Sequence, residues 1–422
     1  MIREINLKID WLLYFIVLLP TFYVAGSDLR LAQMNFFQIS AILLVALMHI
    51  NKWIGAFLAW ALFQFTFFTN MPVQSETLYN LFLGAVLYQF IVMFSNKTEF
   101  KKYFWAFTGL LAVNVFWCFA QIAQLDLIFN MADSENQIKF TEYPGFFGLP
   151  AFLGNFASAV LPLSMFLSLW MAPIALLALF FSKSTFSVLA GLVSGLFFLW
   201  FRKRIVFWIV LLAGTASFLT YAIKYDMPTG EFGRRLEVWK IVLGQAFKKQ
   251  FFGFGIGNYQ NFYLVEATPS HKHVVTNDKT YFTKFLQDRA AEEGKTEVVD
   301  VLQNINPNYD IFALKKFLRK HGMDFQRWES VHNEFIELFF ETGLVGIFIV
   351  FGFIFDLFKR FWRYGRKELH TVALMSAFIA ILIVSFGHFP FHLARLAGPF
   401  IAMIAFLEVA LLQSKRTLEN TW

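Results

Sequence analysis

Two short stretches, far apart in the chain, hold the residues best suited to chemistry. Arg234-Arg235-Leu236-Glu237-Val238-Trp239 puts two arginines in the first turn of an amphipathic helix, just after the turn-like Pro228-Thr229-Gly230. A helix start offers free amide donors and partial positive charge, and a planar guanidinium fork matches phosphate, so the pair suits a diphosphate. It suits equally an interfacial anchor or ion pairs with Glu231 or Glu237, since exposed charges are most often simply solvated. The second stretch opens with His332-Asn333, and Glu334, Glu337 and Glu341 follow in an otherwise apolar run. A histidine there could take a hydroxyl proton near neutral pH. The three acids, three and four residues apart, share one helix face. Ionisable groups at membrane depth are costly enough to need a reason, and that reason is either chemistry or pairing with arginines inside the bundle.

Other candidates are weaker. Lys183 and Arg395 are cations beside apolar runs, for which a snorkelling anchor is the default reading. His271-Lys272-His273 alternates histidines with no further ligands nearby, so no metal is expected. Gly253-Phe254-Gly255-Ile256-Gly257 is no nucleotide-binding loop, because no Lys-Ser/Thr follows it and its spacing to a helix is wrong. His388-Phe389-Pro390-Phe391-His392 reads as a tight turn whose histidines either line the same cavity or sit at the interface.

The elements that must position these residues are membrane helices. The chain has 422 residues, 58% hydrophobic and only 15% charged, which together nearly exclude a soluble fold. The mean hydropathy of +0.55 agrees. Apolar runs predict twelve transmembrane helices near 9–26, 36–50, 53–69, 79–95, 103–123, 147–169, 171–183, 185–201, 205–223, 333–358, 370–387 and 391–412. The first follows Arg3 and Lys8, but no small-x-small cleavage site ends it, so it reads as a retained helix. With the N-terminus in the cytoplasm, Lys52, Lys97, Lys101, Lys102, Arg202, Lys203, Arg204, Lys359, Arg360, Arg363, Arg366, Lys367, Lys415 and Arg416 all fall inside. That is the asymmetry expected of an inner-membrane protein, and it accounts for the net charge of +7 without nucleic acid. The single cysteine, Cys118, cannot form an intrachain disulfide.

This frame divides the chain into helices one to nine at 1–223, an external loop at 224–331 and helices ten to twelve with a cytoplasmic tail at 332–422. The loop is expected to be helix-rich. Leu236, Trp239, Leu243 and Phe247 recur at helical spacing in Arg234 to Lys249, and Ile311 to His321 reads as a second, basic helix.

The order of motifs resembles the O-antigen ligase and polymerase superfamily of bacterial membrane glycosyltransferases. Gly145-Phe146-Phe147-Gly148 through Gly154-Asn155 to Pro162 is similar to the family's Gly-x-Phe, Asn and Pro-Leu helix, and Ser182-Lys183-Ser184-Thr185 to its Ser-Arg turn. Arg235-Leu236-Glu237-Val238-Trp239 with Gly253 to Tyr259 resembles its Arg-x-x-x-Trp and Gly-x-Gly-x-Gly pattern. His332-Asn333 with Glu341-Thr342-Gly343-Leu344-Val345-Gly346 resembles its His-Asn and Glu-x-Gly-x-x-Gly pattern. The likeness covers about residues 145–400. It implies an all-α fold of the C-type glycosyltransferase kind, with a large periplasmic loop. It implies transfer of a glycan, with inversion and without cofactor or required metal, from an undecaprenyl diphosphate carrier to an acceptor hydroxyl. Arg235 would hold the diphosphate and His332 would act as general base; Arg234, Lys183, Asn333, Glu341, Trp239 and Arg395 would contact substrate. The chain departs from the pattern at Lys183, which supplies charge but not a bidentate fork, and in a charged insert around Gln287 to Lys320. One dominant loop resembles a ligase acting on lipid A core. A polymerase, a protein O-oligosaccharyltransferase and, from another class, a lipid-linked glycan transporter are the alternatives.

Overall fold

The computed structural model describes residues 51–68, 73–95, 99–123, 145–147, 149–212, 229–259, 263–267, 272–276, 279–305, 331–392 and 394–420, with scattered positions and a strand between 306 and 330. The helices of the membrane region are α1 (Lys52–Phe68), α2 (Val73–Phe94), α3 (Phe100–Ile122), α4 (Pro150–Leu167), α5 (Ala172–Ser182) and α6 (Thr185–Arg202). After them come α7 (Thr229–Ala246), the extramembrane α8 (Lys279–Glu292) and α9 (Thr296–Gln303), then α10 (Glu334–Arg360), α11 (Leu369–Gly387) and α12 (Ala394–Glu419).

The protein is an all-α, multi-pass membrane protein. Among the described residues six helices are long and apolar enough to cross a membrane: Phe100–Ile122, Pro150–Leu167, Thr185–Arg202, Glu334–Gly365, Leu369–Gly387 and Leu396–Glu419. The sequence-based expectation of twelve is thus met in part. The expected spans at 9–26 and 36–50 lie outside the described residues, and that at 205–223 is described only to residue 212. The expected span at 171–183 is the 11-residue α5, about 16 Å long at 1.5 Å per residue and too short to cross alone.

Helix α4 is the hub, with 83% of its span buried against 33% for Glu334–Gly365. Its Gly154, Ala157, Ser158 and Ala159 are small, which lets neighbouring helices approach closely. A Cβ on Gly154 would stand 2.5 Å from the Ser182 side chain. Pro162 lies inside α4 and blocks the usual helical bond to the Ser158 carbonyl. That carbonyl instead accepts from Ser194 Oγ of α6 at 3.1 Å, so the proline is compensated across the helix pair. At the end of α4, Arg202 donates to the carbonyls of Met165 and Phe166, groups with no partner within their own helix. Helix α11 packs along both α4 and α6, which carries its C-terminal turn to the Ser184 corner.

Outside the membrane the loop holds helices α7, α8 and α9 and, beside them, strands that the sequence reading did not anticipate. A three-stranded antiparallel sheet of order β2-β1-β3 sits within it, built from β1 (Tyr263–Ala267), β2 (Lys272–Thr276) and β3 (Phe325–Arg327). Tyr263 stands opposite Thr276, and Val265 opposite both Val274 and Arg327. Helix α7 presents one face to a protein core. Val238, Val242 and Ala246 face the core, while Leu236 and Phe247 are exposed. The expected helix at 311–321 is described as helical only at Leu314, Phe317, Leu318 and Lys320. The charged insert buries a small core of its own, Leu286, Ala290, Val298, Leu302, Leu314, Leu318 and Met323, separate from the bundle. Glu293 closes its helix–helix corner by pairing with Arg289 at 2.9 Å and Lys295 at 2.8 Å.

Candidate functional site

The frame of the site is a seam between two glycine-bearing segments. Helix α10 breaks at Gly343, where φ is 65° and ψ is −165°, a region essentially reserved for glycine. The loop 250–255 lies in the break. Phe254 N–H donates to the Phe340 carbonyl and Gly255 N–H to the Glu341 carbonyl, each at 2.9 Å. In return Leu344 N–H donates to the Gln250 carbonyl at 2.8 Å. Trp60 Nε1 takes the Thr342 carbonyl at 3.1 Å, and Gln64 Nε2 takes that of Phe252. The glycine motifs are therefore backbone contact points, and the short helix Glu334–Thr342 is held at a fixed angle to the span that follows.

On one side of this frame stands a cationic corner. Arg235 Nη1 donates to the Gly387 carbonyl at 2.6 Å, and its guanidinium lies 5.9 Å from the Phe186 ring centroid. Gly387 has to lack a side chain, because a Cβ there would fall 2.1 Å from the Phe186 ring. The next residue, His388, has its Nε2 3.1 Å from Ser184 Oγ. Ser184 Oγ is 2.9 Å from Ser187 Oγ, which donates to Asn155 Oδ1 at 2.7 Å. A polar thread therefore runs from the buried Asn155 of α4 to His388. Burial, then the positive fields of Arg235 and His332, push the His388 imidazole down to about 3, so it is neutral near pH 7. Arg235 and His332 thus both bear on one neutral histidine.

His332 itself occupies the left-handed region, at φ 53°, and its ring stands edge-on to Phe389 with centroids 4.8 Å apart. The residues on either side of it are pinned. Val331 N–H donates to Glu337 Oε2 at 3.2 Å, and the Val331 carbonyl accepts from Trp239 Nε1 at 3.0 Å. Asn333 Oδ1 caps α10 by accepting from Phe335 N–H at 3.0 Å and Ile336 N–H at 3.1 Å.

The acid stripe meets the far end of the same turn at His392. His392 Nδ1 lies 3.3 Å from Glu334, and Nε2 lies 3.3 Å from Glu337 Oε1. Glu334 Oε1 also accepts Phe391 N–H at 2.8 Å. Burial opposes the His392 charge, but Glu334 and Glu337 outweigh it and hold the imidazolium well above the usual histidine range. Solvent reaches 30% of that side chain, yet both ring nitrogens face carboxylates, so the local field governs its charge. Glu341 is turned elsewhere: its Oε1 accepts Tyr259 N–H at 3.1 Å, beside the seam.

The structure therefore brings Arg235, Trp239, His332 and Asn333 to one end of the bundle. Trp239, Asn333 and Glu341, expected to touch substrate, spend the polar atoms described above on holding the backbone. Lys183 is exposed, terminates α5 in a left-handed conformation at φ 49°, and directly precedes Ser184. Arg234 and Arg395 lie on α7 and α12, and their side chains are outside the described residues. His388 and His392 were legible as a turn whose histidines either line the cavity or sit at the interface, but not with their partners Ser184, Glu334 and Glu337. Ser187 and the Glu334–His392–Glu337 grouping were not singled out, because the contacts that define them cross from one helix to another. Among the described residues no three His, Cys, Asp or Glu side chains gather as ligands for a metal ion.

The two histidines give opposite pH limbs to stability. His388 is depressed to about 3, so its stabilisation is complete above the free-histidine value of about 6.5 and is lost as pH falls through that window. His392 is raised, so its stabilisation is complete below about 6.5 and is lost as pH rises through its elevated value. Thermal unfolding in detergent is expected to show less acid loss in His388→Gln and less alkaline loss in His392→Gln. Unchanged limbs in both variants would refute this assignment.

Compared with protein-family models and with curated proteins, the chain gives no match.

Proposed function

We propose that the protein is a membrane glycosyltransferase. In this reading it moves a glycan from an undecaprenyl diphosphate carrier to a lipid A core hydroxyl at the outer face of the bacterial inner membrane. The observation that carries the reading is the meeting of Arg235 and His332 at one turn: Arg235 donates to the Gly387 carbonyl at 2.6 Å, and the His332 ring stands against that of Phe389 with centroids 4.8 Å apart. As the glycosidic bond breaks, negative charge grows on the departing diphosphate, and a preorganised guanidinium stabilises it where it develops. The acceptor hydroxyl must lose its proton, and His332 is the partly buried imidazole at that corner able to take it. The asymmetry of lysine and arginine along the chain supports placing this end outside the cytoplasm.

The test uses the full-length protein in nanodiscs, an undecaprenyl-diphosphate-linked glycan and purified lipid A core. Wild type is expected to glycosylate the core, and Arg235→Ala and His332→Ala each to lose roughly 10²–10³-fold in kcat, the scale of removing one group that meets transition-state charge. Arg235→Lys should recover only part of the loss, because lysine lacks the fork. Lengthening of the carrier-linked glycan with the core untouched would replace the ligase reading with the polymerase one. Folded wild type that transfers to no acceptor would sink both in favour of a transporter.

A further inference from the structure

Resting on the glycosyl-transfer reading, we infer that Glu337 and His392 are positioning residues that set the placement of His332 without touching either reactant. The argument starts from the backbone. A histidine in the left-handed region is strained by its own Cβ, so the conformation at φ 53° has to be held from outside. It is held at both ends: by Trp239 on the Val331 carbonyl, by the Asn333 cap, and by Glu337 on the Val331 N–H.

Glu337 is the member of this set that connects to something else. One of its oxygens takes Val331 N–H at 3.2 Å; the other lies 3.3 Å from His392 Nε2. His392 is at the end of the same turn that supplies Phe389, whose ring stands against the ring of His332. The contacts close on themselves, running from the Val331–His332 backbone to Glu337, to His392, back along the turn to Phe389 and onto the His332 imidazole. Glu334 fixes the turn a second time through Phe391 N–H and His392 Nδ1. Both the backbone and the ring face of His332 are thus set by one ion-paired unit.

Energetics argues that this unit is more than glue. A buried ion pair is weak evidence of stabilisation, since apolar side chains of similar volume commonly do as well. What an apolar replacement cannot supply here is an acceptor for Val331 N–H and a directional tie to the turn. Displacing a reacting group by about 1 Å can cost about 10²-fold in rate, so the orientation of His332 has a large effect on turnover.

The experiment compares full-length wild type, Glu337→Gln, Glu337→Leu, His392→Gln and His392→Leu in nanodiscs. It uses the undecaprenyl-diphosphate-linked glycan and lipid A core, together with deuterium exchange of the peptide spanning Val331. In both leucine variants kcat is expected to fall roughly 10–100-fold with donor KM changed less than about threefold. Glu337→Gln, whose amide oxygen still accepts Val331 N–H, should recover about tenfold over Glu337→Leu. Exchange should rise around Val331 in the leucine variants and stay at the wild-type level in α8 and α9. Unchanged kcat, an effect confined to KM, Glu337→Gln no better than Glu337→Leu, or exchange rising throughout the chain would each overturn the inference. If wild type itself transfers no glycan, the reading beneath it fails, while local exchange around Val331 still decides whether Glu337 and His392 hold His332.

Discussion

Replacing Gly343 with alanine is expected to abolish accumulation of folded protein. The residue sits at φ 65° and ψ −165°, where a side chain is strained before any neighbour is considered. An added Cβ would also lie 2.4 Å from the Phe251 carbonyl oxygen and 2.6 Å from Gly253 N, both backbone atoms that cannot swing away. Strain and overlap together exceed about 3 kcal/mol, a large share of what a membrane protein has to spare. Gly253→Ala should fail in the same way, since its φ is 70° and its Cβ would meet the Glu341 carbonyl oxygen at 2.4 Å. The control is Gly244→Ala: this exposed helical glycine has open space around it, and alanine should stabilise α7 by up to about 1 kcal/mol. Size-exclusion yield and thermal unfolding of the three variants read the difference. Wild-type stability in Gly343→Ala would show that the two segments do not meet as described.

Severing the ion pair between α10 and α12 is expected to have the second largest effect. Arg360 donates from Nη1 and Nη2 to the two carboxylate oxygens of Glu408, at 2.5 and 2.6 Å. Only 7% of the Glu408 side chain is exposed. Asp356 lies 3.0 Å from Nε of the same arginine, so the guanidinium is held from two sides. Arg360→Met leaves Glu408 buried without a counter-charge, which costs about 3–5 kcal/mol. Adding Glu408→Leu to it should return most of that loss, because the double variant removes both charges together. If the double variant is no more stable than Arg360→Met alone, the two residues are not coupled.

Much of the membrane scaffold was legible because a transmembrane helix is a local object. Each of the six long helices is a near-continuous apolar run, and hydropathy needs no knowledge of neighbours to find it. Reading failed where the outcome depended on distant partners. Helix α5 ends at Ser182, and its few turns pack on α4 rather than crossing independently. The strands Tyr263–Ala267 and Lys272–Thr276 are five residues each, too short for periodicity to separate them from loop. On α7, Leu236 and Phe247 keep the helical spacing but are exposed, since apolar residues beside a membrane need not face a protein core.

The candidate site divides the same way. Arg235 and His332 stand out as residue types in conspicuous places, and the glycine runs stand out by spacing. The reason for the glycines, two backbones in contact, is a property of the pair and is invisible in either segment alone. His388 shows the limit most clearly. Nothing in His388-Phe389-Pro390-Phe391-His392 says that its first histidine meets Ser184 and its last meets Glu334 and Glu337.

The seam at Gly253 and Gly343 has a consequence for how the chain can diverge. Tyr259 and Val331, at the two ends of the intervening segment, are both fastened to the first turns of α10, through Glu341 and Glu337. What lies between them, sheet and insert together, is a cassette mounted on a closed hasp. Lengthening such a closed loop costs little, about 0.6 kcal/mol for each doubling. The segment can therefore be lengthened or shortened between Tyr259 and Val331 while its two fastened ends keep their places.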